Sequence, residues 1–141
     1  MEEVSSLFLG QYEKRLKLHL VKAELLTLEA LAAQSIEQRE ADHAHQYVLT
    51  GFDTSLLQTL VADTISLTLH QPIIFSQVQI IRQQAICANR ATDIIVPIVN
   101  LAVTQKKEMM TSCNAEVDYA CRAIQRACQI ALEHIEPLLS E

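Results

Sequence analysis

A chain of 141 residues that is half hydrophobic, has only two glycines and three prolines, and carries a net charge of -6 is long enough for one core but too poor in turn residues for a strand-rich fold. Its Lys and Arg are scattered, with no stripe to follow a phosphate backbone, so nucleic acid is not an expected partner. The acidic start Met1-Glu2-Glu3 points to a cytoplasmic chain, and no apolar run approaches the roughly 20 residues of a transmembrane segment.

The first expected helix, from about Ser5 to Tyr47, carries two adjacent apolar rows. Phe8, Tyr12, Leu16, Leu20, Ala23, Leu26, Ala30 and Ala33 form one; Leu18, Val21, Leu25, Leu28, Ala32 and Ile36 form the other. Two rows imply more than one neighbour. Thr50-Gly51-Phe52-Asp53 then reads as a stop and a new start, with Gly51 as a left-handed C-terminal cap and Asp53 or Thr54 as the next N-cap.

A second helix, from about Thr54 to His70, places Leu57, Leu60, Val61, Thr64, Ile65, Thr68 and Leu69 on one side. Pro72 lacks a backbone donor and would clash inside a continuous helix, so a restart with Pro72 as first residue is expected. The third helix, to about Val96, aligns Ile74, Val78, Ile81, Ala85, Ala88 and Ile95, and Pro97 is the next expected interruption. The fourth resumes near Ile98 and, past Thr104 to Glu108, runs towards Pro137.

Cys113, Val117, Cys121, Ile124, Cys128, Ala131 and Ile135 in that last helix follow steps of three and four, close to a heptad seam. Helical residues seven apart are separated by about 10 Å along the axis, and a disulfide needs Cα atoms within about 7 Å. The seam thiols therefore cannot bridge one another within the helix. Buried, reduced thiols are expected, Cys87 included, with disulfides between chains across a symmetric seam as the alternative. The expected architecture is all-α: one domain, 1-141, a bundle of about four helices with long N- and C-terminal helices and proline-interrupted central ones.

Between Leu57 and Val103 only Asp63, Arg82, Arg90 and Asp93 carry formal charge. A helical segment this poor in charge is expected to have its outer face covered, by this chain or by other copies. Leu57, Leu60, Ile65, Ile74, Val78 and Ile81 from that segment, with Val117, Cys121, Ile124 and Cys128 from the seam, are the candidate interface residues. His70 is a candidate pH switch, because its protonation near pH 6 would place unpaired charge among apolar side chains.

Glu40-Ala41-Asp42-His43 has the Glu-x-x-His spacing of di-iron bundles, which makes Glu40 and His43 candidate metal ligands, with Glu37 and His45 nearby. The second such motif is missing: Glu133 and His134 are adjacent, and Ala131 stands where the matching Glu belongs. There is no Gly-rich phosphate loop, nucleophile elbow or H-E-x-x-H. No catalytic residue and no cofactor is expected.

The run Leu60-Val61-Ala62-Asp63-Thr64-Ile65-Ser66-Leu67-Thr68-Leu69-His70-Gln71-Pro72-Ile73-Ile74-Phe75-Ser76-Gln77, with Gln83-Gln84-Ala85 to Ala91 after it, resembles the RebB-like "killing trait" family, the subunits of bacterial R-bodies. Pro72 stands where that family usually has Ala, Ser76 interrupts its Gln run, and the long flanks are not typical of it. The resemblance implies insoluble ribbons, some of which extend as pH falls, with His70 as the first residue to test for the trigger. The expected function is a non-enzymatic helical assembly protein that self-associates through its charge-poor middle and C-terminal seam. The alternatives are a helical adaptor, such as a bacterial effector, chaperone or immunity protein, that binds a partner helix, and a metal-binding helical enzyme.

Overall fold

The computed structural model describes residues 2–41, 51–63, 71–99 and 106–140. These form four helices: α1 (Glu2–Ala41), α2 (Ser55–Asp63), α3 (Pro72–Val99) and α4 (Lys106–Ser140). Among the described residues α4 packs along both α1 and α3, while the short α2 lies against α1 and touches α3, so the four close a ring. The protein is an all-α bundle with long first and last helices, as its composition implies.

The spacing of buried residues explains the arrangement. In α1, Val21, Leu25, Leu28, Ala32 and Ser35 are buried, a two-per-heptad seam; in α3, Ile74, Val78, Ile81, Ala85 and Ala88 repeat the pattern. Such a seam serves one line of contact. In α4 a third set, Cys121, Cys128 and Ile135, is buried beside Cys113, Val117, Ala120, Ile124, Ala127 and Ala131. Three apolar positions per heptad make a face wide enough for two neighbours, and α4 has two long ones.

The α1–α4 contact is antiparallel and laced by polar bonds along one flank. The Arg15 guanidinium donates to the Leu139 carbonyl (2.8 Å), Lys22 pairs with Glu136, Gln129 donates to Glu29 (3.2 Å), and Arg122 pairs with Glu40 (2.8 Å). These are exposed or half-buried contacts, each worth at most about 1 kcal/mol. They set the register of the two helices more than they stabilise them.

The start of α2 follows the expected chemistry. The Thr54 carbonyl accepts the Gln58 amide (2.9 Å), closing the first turn, and Asp53 Oδ1 accepts the Ser55 amide (2.9 Å). The Ser55 hydroxyl and then its amide hold the Asp53 carboxyl below the ordinary range. Gly51 is exposed and its backbone lies outside the left-handed region, so it is not the cap its neighbours suggested. Residues 42–50, where the first helix was expected to end, lie outside the described residues.

Pro72 is the first residue of α3, and the Gln71 carbonyl accepts the Phe75 amide (3.3 Å). Pro97 is not the break it was expected to be, because α3 continues to Val99. Pro137 likewise lies inside α4, which ends at Ser140. Each ring removes the bond to the carbonyl four residues earlier. Both occur within three residues of the helix end, where little helix remains to be disrupted.

Candidate interaction surface

Leu57, Leu60, Ile74, Val78, Ile81, Val117, Cys121, Ile124 and Cys128 were expected at an interface, within this chain or between copies; all nine are buried in one intrachain cluster. The C-terminal seam is thus covered by α1 and α3 of the same chain. Ile65 and His70 lie outside the described residues.

The apolar surface that remains uncovered lies elsewhere. The inner row of α1, from Val21 to Ile36, is the packed one. The other row points away from the core: Tyr12 is 62% exposed, Leu16 48%, Leu20 46% and Leu26 47%. Ala23 and Ala30 between and beyond them are exposed as well. The sequence shows both rows equally, and nothing in it says which the chain would cover. α1 packs on α2 and α4, its inner row is the buried one, and the outer row stays exposed.

The charge-poor middle also shows apolar side chains on the outside among the described residues. Ile73, Phe75, Ile80, Ile86 and Ile94 of α3 are exposed. Between α3 and α4 an open cleft of about 700 Å³ is lined by Cys87, Arg90 and Ile94 on one side and by Ser112, Glu116 and Tyr119 on the other. A second cleft of about 450 Å³ beside Phe52 and Asn89 carries the carboxylates of Asp53 and Asp93.

Of the two metal candidates, Glu40 is engaged by a guanidinium. The carboxylate of Glu40 accepts from Arg122, which also donates to Asp118 (2.9 Å), and a guanidinium at that distance repels a metal cation. Those two bonds, Asp118's first, raise the Arg122 pKa above its ordinary value. His43 and His45 lie outside the described residues, and no group of three or more His, Cys, Asp or Glu among those described could hold a metal ion.

Three of the four thiols are buried as expected, but Cys87 is exposed on the cleft wall. It falls outside the α3 seam, one position before the buried Ala88. Burial, with a smaller contribution from Glu29, pushes the Cys128 thiol up to about 12; burial and then Glu116 raise Cys113. Cys113, Cys121 and Cys128 are packed away from solvent, which keeps a reagent from their sulfurs. Native protein treated with iodoacetamide at pH 8 should therefore gain one label, on Cys87, with the others appearing only on unfolding. Peptide mass mapping checks this, and rapid labelling of Cys121 or Cys128 in folded protein would contradict the packing.

No helix among the described residues is long and apolar enough to cross a membrane. The chain matches no family model, no curated protein and no solved structure.

Proposed function

We propose that this is a non-enzymatic helical assembly protein, a bundle whose core is self-contained and whose outward apolar faces bind other helices. The observation that carries this reading is the outer row of α1, Tyr12, Leu16, Leu20 and Leu26, each roughly half exposed or more on one face of a long helix. Scattered exposed Leu residues are ordinary, but a contiguous apolar row is characteristic of an interaction surface. The exposed isoleucines of α3 add a second face drawn from the charge-poor middle. Self-association thus runs through outward faces in place of the C-terminal seam, and the likeness of residues 60–91 to R-body subunits adds an expectation of open-ended ribbons.

Sedimentation velocity over a wide concentration range, with negative-stain microscopy at neutral and mildly acidic pH, tests this. Concentration-dependent oligomers or ribbons are expected. A monodisperse monomer at high concentration, with no ordered polymer at either pH, would overturn the reading. The cleft between α3 and α4 favours a second reading, an adaptor that receives a partner helix. A stoichiometric partner protecting Cys87 from alkylation would separate that role from self-assembly.

A further inference from the structure

We infer that the outer face of α1 is a self-complementary docking surface on which α1 of a second copy lies antiparallel, with Lys17 of each chain against Glu24 of the other. The inference rests on the assembly reading above and names its partner and geometry. Leu16, Leu20, Ala23, Thr27 and Ala30 follow steps of four, three, four and three along the exposed side of α1, and all five are exposed. The large side chains occupy the N-terminal half of this line and the small ones the C-terminal half. A second α1 running the opposite way brings large against small: Leu20 opposite Ala23 and Leu16 opposite Thr27, each twice by symmetry. Alternating large and small residues across facing positions is how helix interfaces fill space without clash. A parallel copy in the same register would set Leu against Leu at one end and leave gaps at the other.

The charges point the same way. One flank of α1 is already engaged by α4, through Arg15, Lys22 and Glu29. The opposite flank carries Lys17 and Glu24, seven residues apart and both half-buried, and neither makes an ion pair among the described residues. In a two-fold antiparallel helix pair each flank faces its own copy, because the symmetry axis runs perpendicular to both helices. With Leu20 opposite Ala23, the same register sets Lys17 across from Glu24. A foreign helix has no reason to match both the size gradient and the charge spacing, whereas a second copy matches them by construction.

Four full-length variants test this by sedimentation equilibrium, with circular dichroism to confirm that each is folded: Leu20→Glu, Lys17→Glu, Glu24→Lys and the double exchange Lys17→Glu/Glu24→Lys. All of these positions lie outside the core, so folding should survive. Leu20→Glu should abolish this association. Each single charge reversal puts like charges opposite each other twice and should weaken it about tenfold, while the double exchange should return to within about threefold of the wild type. If Leu20→Glu still associates like the wild type, this docking geometry is wrong while assembly through another face stands. Failure of the double exchange to recover affinity overturns the antiparallel pairing. A wild-type chain that never associates overturns both this inference and the assembly reading.

Discussion

Ile124→Asp is expected to leave the chain without a cooperative fold at 25 °C. Ile124 is fully buried on α4, the helix that packs against both α1 and α3. Removing its side chain forfeits packing and apolar transfer worth about 2–5 kcal/mol. Asp then adds a carboxyl with no partner in that setting, which must be buried charged or protonated at further cost. Together these approach or exceed the stability of about 5–15 kcal/mol typical of a domain. The same exchange at Ile81, equally buried on α3, should behave alike. Ile86, on α3 but 42% exposed, supplies the control, and Ile86→Asp should change stability by no more than about 0.5 kcal/mol. Thermal and urea melts followed by circular dichroism decide the matter. A soluble Ile124→Asp variant with a cooperative melt near the wild-type midpoint would mean that α4 is not the centre of the bundle.

The residues that pin this prediction were legible in the sequence. The row from Cys113 to Ile135 was visible as a seam, and every member of it is buried. Its role was less legible. A seam of regular period looks the same whether it faces another helix of its own chain or one of a second copy, because periodicity reports that a face is covered but not by what. For the nine buried interface candidates, the sequence left this point open. In α1 the ambiguity was sharper, since two rows of similar Leu and Ala content lie side by side. Which row is inward depends on where α2 and α4 arrive, and that is fixed by contacts far away in sequence, such as Lys22 with Glu136.

Prolines were readable at Pro72 and misleading at Pro97. Pro72 follows the rule for a first helical residue, with Gln71 before it supplying the first carbonyl. Pro97 and Pro137 are identical in chemistry but sit near the ends of α3 and α4, and distance from a helix end is not written in the local sequence. The exposure of Cys87 could have been found from spacing. It lies one position from Ala88, which continues the buried steps of three and four, so on a seam two positions wide per heptad it falls outside.

The contact hardest to foresee joins Phe52 to Asn89, 37 residues apart. The Asn89 side-chain oxygen accepts the Phe52 amide (2.9 Å) and its nitrogen donates to the Phe52 carbonyl (2.8 Å), so one amide satisfies both backbone groups just before α2. The Phe52 ring, 5% exposed, enters the core at the same point. Phe52→Ala should cost about 3–5 kcal/mol through the cavity it leaves. Asn89→Ala should cost about 2 kcal/mol, since two hydrogen bonds are lost and their half-buried backbone partners must find water. Asn89→Asp keeps an acceptor for the Phe52 amide but sets a carboxylate oxygen against the carbonyl, so it should retain only part of the stability. Urea melts give these values, and hydrogen exchange should show the α2 amides losing protection first, because α2 touches α3 over only a short contact. The outer row of α1 takes no part in this clasp, so Asn89→Ala should associate as tightly as the wild type while it remains folded. Association lost in step with α2 protection would instead place α2 in the assembly surface and shift the docking face away from Leu16 and Leu20.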